Sequence, residues 1–135
     1  MLEMKRYFLA EIATKDKLIH QGIFYKPKNP AKRAILFVHG LTSTFYAHIP
    51  LFEALAGKYG FAAFNNRGHD LIAGIKKIDR RKKKGHARVN GGAGYEKFEE
   101  CVPDIRAMTG LAKTLGYHNV FLAGHSTGAN KALYY

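Results

Sequence analysis

A chain of 135 residues has room for one domain with a hydrophobic core of its own. Its composition, 47% hydrophobic and 13% aromatic residues, is that of a globular protein and excludes a disordered one. No apolar run reaches the roughly 18 residues of a transmembrane helix, and the N-terminus, with Glu3 and no apolar stretch before a cleavage site, predicts no signal peptide. Cys101 is the single cysteine, so it forms no internal disulfide, and a cytoplasmic protein is expected.

The positive charge is concentrated in one stretch of the sequence. The formal net charge is +12, which by itself raises nucleic acid or an anionic membrane as a partner. Between Ile75 and Val89, however, eight basic residues face Asp79 alone. The run Arg80–Lys84 has no interleaved aromatic residues, which disfavours a dedicated nucleic-acid module. We interpret it as a solvated surface loop, with a basic rim for anionic substrates or lipid head groups as the alternative.

The start of the chain predicts a hairpin followed by a buried strand. Lys5–Ile12 and Leu18–Tyr25 are rich in aromatic and β-branched residues. A polar spacer of hairpin length, residues 14–17, separates them, so they are expected to pair as antiparallel strands. Residues 27–30, with two prolines and an asparagine, then force a loop. The continuous apolar run Ala34–Val38 is typical of a central parallel strand that is buried on both faces.

The middle of the chain predicts a helix, a strand and a long loop. Apolar residues recur at three-to-four spacing over residues 47–59, which predicts an amphipathic helix that ends at Gly60. Phe61–Phe64 then predicts a short buried strand. The pattern of residues 71–94 is irregular, and we expect a loop there. Its flexible part, Asn90–Gly94, lacks the lysine and the strand and helix context of a phosphate-binding loop, which disfavours that role.

The last part of the chain predicts a helix, a strand and a tight turn. Helical periodicity runs over Tyr95–Leu115, and the helix is expected either to kink at Pro103 or to begin there. Cys101 falls on its apolar face and is interpreted as a small core residue. The apolar stretch Asn119–Ala123 predicts a strand that runs directly into the turn Gly124-His125-Ser126-Thr127-Gly128, with a helix after it.

Ser126 occupies the tip of this strand, turn and helix. A turn this sharp forces its central residue into a strained backbone conformation, and Gly124 and Gly128 let the strand and the helix approach each other. The serine hydroxyl is thereby lifted clear of the sheet. The backbone N–H of Thr127, at the start of the helix, points to the place where an anionic oxygen would form. Such a serine is a candidate nucleophile.

These residues resemble the α/β-hydrolase superfamily of serine esterases and lipases. The turn GHSTG matches its nucleophile elbow. The strand that ends in His39-Gly40 stands where members place the second oxyanion donor, which would here be the backbone N–H of Leu41 or, as the alternative, of Thr42. The segment Arg67-Gly68-His69-Asp70 is similar to an RGxG turn of the family, except that Asp70 replaces the second glycine. The resemblance implies that Arg67 and Asp70 are structural, with the arginine tying loops together.

The resemblance, which covers residues 34–135, implies an α/β fold. It would be the N-terminal part of an α/β-hydrolase sheet, with an antiparallel hairpin, then parallel strands with flanking helices, truncated just after the nucleophile elbow. We expect a single incomplete domain over residues 1–135, in which 1–33 form the N-terminal hairpin and loop and 34–135 form a βαβ core with the basic loop 71–94. Complete members need roughly 200–250 residues, so we expect the N-terminal portion of a longer protein.

The implied reaction is hydrolysis of a carboxylic ester or a related acyl bond. Ser126 would be the nucleophile, and the N–H groups of Thr127 and Leu41 would hold the oxyanion. The catalytic acid and histidine follow the serine in this superfamily, whereas the residues after Ser126 include neither. His69 with Asp70 is the best upstream substitute. The chain alone is expected to be inactive, and whether it is an enzyme is left open.

Two other functions stay open beside a serine hydrolase. One is a non-catalytic binding protein that keeps the fold, and the other is a basic anion-binding protein that uses residues 76–88. We expect no cofactor and no metal, and a small-molecule acyl substrate as the partner. The strand before Ser126 would be an apolar, unpaired sheet edge, which predicts self-association or completion by a second chain.

Overall fold

The computed structural model describes residues 6–27, 32–55 and 58–135. Three sequence predictions therefore lie partly outside the described residues: the start of the first strand at Lys5, most of the loop 27–30, and residues 56–57 of the first helix.

The described residues form one sheet of seven strands with helices packed against it. The strands are β1 (Phe8–Ala13), β2 (Leu18–Tyr25), β3 (Arg33–Val38), β4 (Gly60–Phe64), β5 (Ala73–Ile78), β6 (His86–Gly91) and β7 (Asn119–Gly124). The helices are α1 (Ile49–Leu55), α2 (Cys101–Thr114) and α3 (Thr127–Tyr134). Short 3₁₀ turns, Phe45–His48 and Phe98–Glu100, lead into α1 and α2.

The strand order confirms the predicted α/β architecture. β1 pairs with β2 in antiparallel fashion, and β2 pairs with β4, also antiparallel. β4, β3 and β7 are parallel to one another, with β3 between the other two. The three parallel strands bring their carboxyl ends to one edge of the sheet, which is where ligands gather in sheets of this kind.

Two of the parallel strands, β3 and β4, are buried because helices cover both of their faces. Along β3, Leu36 packs on the α2 face with Met108, whereas Phe37 packs on the α1 face with Phe52. Every residue of β4 is buried as well. This explains why both strands are continuous apolar runs, since neither face is exposed to water.

The segment 71–94, predicted as a loop, is instead a β-hairpin. β5 and β6 pair over their whole length, from Ala73 opposite Gly91 to Ile78 opposite His86. The basic stretch forms the exposed turn between them, closed at Gly85 with a φ of 73°. The prediction was wrong because lysine and arginine interrupt the alternation of apolar and polar residues that normally indicates a strand. In β5 only Ile75 is fully buried.

Pro103 lies in the first turn of α2. The helix begins at Cys101, two residues earlier, so Pro103 lies in the first turn, where its missing N–H leaves no intrahelical bond unmade. The helix therefore neither kinks at the proline nor begins there. Cys101 is buried against Val38 and Ile105, which confirms its interpretation as a small core residue. Burial raises the pKa of its thiol.

Candidate active site

Ser126 sits at the junction of β7 and α3 in a strained backbone conformation. Its φ and ψ are 54° and −130°, a backbone conformation that residues other than glycine rarely adopt. Such a residue costs of order 1–3 kcal/mol and persists only when its surroundings fix it. The serine is exposed, as is His125 before it, whereas Gly128 two residues later is buried. The predicted sharp turn is therefore present.

Two glycines make the turn possible. A Cβ on Gly124 would lie 2.5 Å from the carbonyl group of Gly128. A Cβ on Gly128 would overlap the carbonyl oxygen of Val38, at the end of β3. The start of α3 can therefore press against the ends of β7 and β3 only because both side chains are missing.

The loop after β3 lies directly beside the serine. A Cβ on Gly40 would lie 3.1 Å from Ser126 Cβ and 3.6 Å from its Oγ. The next residue, Leu41, is about half exposed. Among the hydrogen bonds of the described residues, the backbone N–H groups of Leu41 and Thr127 have no acceptor. Two free N–H donors thus lie near Ser126: that of Thr127, the next residue, and that of Leu41 in the loop after β3.

His39 is a structural residue and does not reach solvent. Its Nδ1 hydrogen bonds the carbonyl oxygen of Gly40 at 2.8 Å, and its Nε2 accepts the backbone N–H of Asn66 at 3.0 Å. Both ring nitrogens are therefore used, Nδ1 within the loop after β3 and Nε2 to join this loop to the end of β4. Burial lowers the pKa of His39 to about 4, so the ring stays neutral near pH 7.

The rings of His48 and His125 form a pair that sequence reasoning missed. The ring centroid of His48 lies 5.3 Å from that of His125 and 4.5 Å from that of Phe37. Burial and the neighbouring His125 lower the pKa of His48. His48 falls within a predicted amphipathic helix and lies in the 3₁₀ turn before α1. It meets His125 because this turn packs on Phe37 of β3, for which the sequence carries no local signal.

No histidine is placed as a base for Ser126 within the described ranges. His69 donates from Nδ1 to the carbonyl oxygen of Asn66 at 2.8 Å, and its Nε2 lies 4.0 Å from a carboxylate oxygen of Asp70. No hydrogen bond of the described residues joins Ser126 Oγ to a ring nitrogen.

Arg67 ties three parts of the fold together, as the sequence predicts. Its guanidinium binds Asp104 of α2 at 2.7 Å and Asp16 of the β1–β2 turn at 3.0 Å, and it lies 3.4 Å from Glu100. Asp104, fully buried, also binds His20 Nε2 at 3.0 Å. Burial alone raises the pKa of the Asp104 carboxyl, but the hydrogen bonds and charges of His20 and Arg67 outweigh it and hold the pKa below its usual value.

Asp70 has a backbone reason to replace a glycine. Its φ is 55°, in the left-handed region that glycine adopts freely and that aspartate tolerates better than most residues. Its N–H donates to the carbonyl oxygen of Ser43 at 3.3 Å, so it links the turn after β4 to the loop after β3.

A buried ion pair supports the helix that follows the serine. Lys131 of α3 is 1% exposed and donates to both carboxylate oxygens of Glu96 at 2.7 and 2.9 Å. Glu96 lies against Gly68, where a Cβ would overlap its carboxylate. The pair fixes α3 to the segment before α2. The sequence marked Lys131 only as part of a short helix.

The described residues hold no cluster of three or more histidine, cysteine, aspartate or glutamate side chains arranged for a metal ion. None of the helices in the described ranges has both the length and the apolar character needed to cross a membrane.

Comparison with known proteins gives matches in structure only. No known family and no curated protein sequence matches the chain. The esterase Pf2001 of Pyrococcus furiosus superimposes with a TM-score of 0.69 at 24% identity, over 96% of this chain and 46% of the esterase. A thermostable carboxyl esterase of Bacillus coagulans gives 0.61 at 16% identity, over 93% and 38%. The bottromycin epimerase BotH gives 0.63 at 19% identity, over 93% and 42%.

These similarities establish the fold and nothing finer. The chain spans less than half the length of each of these three proteins. An epimerase stands among the matches beside esterases, so the fold alone does not select a reaction. The chain has an α/β-hydrolase-like fold, a mixed sheet with flanking helices, of the kind found in these esterases.

Proposed function

We propose that this chain carries the nucleophile and the oxyanion site of a serine hydrolase that acts on a carboxylic ester or a related acyl bond. The observation that supports it most is the strained, exposed Ser126, with the free N–H groups of Leu41 and Thr127 on either side. Strain of this kind marks functional sites, because stability alone does not select for it. The esterase matches agree with this proposal at the level of the fold.

In the proposed reaction, Ser126 Oγ attacks the carbonyl carbon and a general base takes its proton. The carbonyl oxygen becomes an oxyanion, which accepts hydrogen bonds from the N–H groups of Leu41 and Thr127. Collapse of this intermediate breaks the ester bond, and the alcohol leaves with a proton. Water then attacks the acyl-serine, which releases the carboxylic acid and restores Ser126.

The general base and its acid are proposed to lie outside the described residues. They would come from sequence that follows residue 135 in the full protein or from a second chain. The support is that no described histidine bonds to Ser126 and that His39 and His69 already use ring nitrogens in backbone contacts. A cytoplasmic location is part of the same proposal, because the single cysteine forms no disulfide.

The experiment is hydrolysis of p-nitrophenyl acetate and butyrate by the protein produced from its own gene. Ser126→Ala is expected to abolish turnover, since no other group replaces the nucleophile. Ser43→Ala is the matched control, because Ser43 lies in the neighbouring loop and contributes only its backbone to the contacts described. Equal turnover by the folded wild type and the folded Ser126→Ala contradicts the proposal. Absence of turnover in the folded wild type also contradicts it and favours a non-catalytic binding protein.

A second candidate function rests on the β5–β6 hairpin. Its turn exposes Arg81 through Lys84, so the charge is available to an anionic partner. Retention on a heparin column that weakens with salt and disappears when Arg80–Lys84 are neutralised would favour this function. Retention that survives neutralisation would remove it.

A further inference from the structure

A cavity opens where β2 changes partner along one edge. Residues Gly22–Tyr25 of β2 pair with β4, and Leu18–Ile19 pair with β5, so His20 and Gln21 lie between the two ladders. The cavity there has a volume of about 110 Å³. Its lining includes His20, Asn65, His69, Gly74, Lys76 and Arg88. Ser126 is not part of it.

Arg88, an exposed residue, brings a charge without an ion-pair partner to this cavity. In the described part of the chain its guanidinium forms no ion pair. The guanidinium lies over Gly74, where a Cβ would be 3.0 Å from Nη1. The missing side chain of Gly74 therefore leaves the space that the guanidinium and the cavity occupy.

The remaining polar groups of the cavity favour a negative ligand. Lys76 has one exposed partner, Glu11 at 3.3 Å, and Glu11 is already bound by Gln21 at 2.9 Å. The nearest buried acid, Asp104, is held by Arg67 and by His20 Nε2. The other ring nitrogen of His20, Nδ1, is buried and has no hydrogen-bond partner among the described residues, which is a costly arrangement for a polar atom.

We propose that this cavity binds a small oxyanion of the phosphate-group class. The planar guanidinium of Arg88 presents paired donors that match phosphate oxygens, and the Lys76 ammonium adds a point charge. The volume is several times the roughly 10–15 Å³ that a cavity needs to hold one water molecule. The site is independent of Ser126 and of the acyl transfer proposed above.

The test is isothermal titration of the chain with inorganic phosphate, at an ionic strength held constant with sodium chloride. Saturable binding at one site is expected. Lys76→Met with Arg88→Met should weaken it about tenfold or more, because charge-assisted contacts are lost. The matched control is Lys58→Met with Lys113→Met, which removes the same charge from two exposed residues outside the cavity and should leave the affinity unchanged.

A second variant tests the space of the cavity independently of its charge. Gly74→Val keeps both cations but fills the space beneath Arg88, and it should also weaken phosphate binding. Methyl phosphate that binds as well as inorganic phosphate would point to a phosphate ester, and weaker binding would point to the free ion. Equal binding of acetate, unchanged affinity in Lys76→Met with Arg88→Met, or loss of binding in the control Lys58→Met with Lys113→Met would each overturn the proposal.

Discussion

His39 illustrates how a buried residue can lie beside the candidate nucleophile without taking part in the reaction. Its pKa is about 4 in the folded chain against an ordinary 6.5. The unfolded chain therefore binds more protons between these two values, and the free energy of unfolding must fall as the pH falls through that window. The contribution of His39 is complete above pH 6.5 and lost near pH 4, and it amounts to roughly 3 kcal/mol.

Urea unfolding at pH 7, 5.5 and 4.5 measures the slope of the free energy of unfolding against pH. His39→Gln, which keeps an acceptor near Asn66 but does not titrate, should lower stability at pH 7 and flatten the slope over the window. A slope that is as steep in the variant as in the wild type would show that another group carries the pH dependence.

The sequence predicts some of these residues and not others, and distance along the chain explains the difference. Ser126 and its two glycines form one short motif, so their spacing alone indicates the turn. Lys131 and Glu96 lie in different parts of the sequence, and only the fold brings them to 2.7 Å. A pair of this kind leaves no periodic pattern to detect.

At the scale of elements, Asp104 holds α2 against the turn after β4. Asp104→Asn would leave the Arg67 guanidinium, largely buried, without its main partner. Breaking a buried pair in this way costs about 3–5 kcal/mol. The midpoint of urea unfolding should fall strongly, whereas Asp79→Asn in the exposed hairpin turn should change it little. Similar midpoints for both variants would mean that the buried network contributes no net stability.

The close approach of α3 to β3 makes a second prediction for an element. Gly128→Ala places a methyl group on the carbonyl groups of Val38 and His39, where a Cβ would lie 2.6 Å from the His39 oxygen. Overpacking of this kind destabilises by about 1–3 kcal/mol. Thermal unfolding should show a lower midpoint for this variant.

Gly110→Ala is the control for that change, because it lies within α2 and its Cβ would meet no atom within 4 Å. It should stabilise the chain by about 0.5–1 kcal/mol, as alanine favours a helix over glycine. Destabilisation by both variants to the same extent would contradict the packing argument.

The predicted and observed elements differ most at the β5–β6 hairpin, whose strands are rich in charged residues. The central strands are predictable because continuous apolar runs of strand length have few other uses. The β5–β6 hairpin is half exposed, so its lysine and arginine residues can stand on the outer face of a strand and resemble a loop in sequence. The hairpin joins the sheet by pairing β5 with β2, as in Ile19 opposite Lys76. These two residues lie more than fifty positions apart in the sequence, so no local pattern indicates that they pair.

At the scale of the whole molecule, β7 is an edge of the sheet. In the described residues it pairs with β3 alone, and Phe121 is 51% exposed on it. Unpaired, apolar edges associate with other strands. We expect the chain of 135 residues to self-associate at micromolar concentration, and Phe121→Lys to shift it toward the monomer in sedimentation.

Leu133→Lys is the control for this edge, because Leu133 is 87% exposed on α3 and lies on no strand. It adds the same charge and should leave the association unchanged. A wild-type chain that sediments as a single monomer would contradict the prediction.

The most direct test of the acyl-transfer proposal is covalent labelling with a fluorophosphonate, applied to the protein produced from its own gene. The reagent phosphonylates a serine whose hydroxyl is activated, with loss of fluoride. Intact mass and peptide mapping should show one adduct on Ser126, absent in Ser126→Ala and retained in Ser43→Ala. A folded protein that takes no label, or takes it at another residue, would contradict the assignment of Ser126 as the nucleophile.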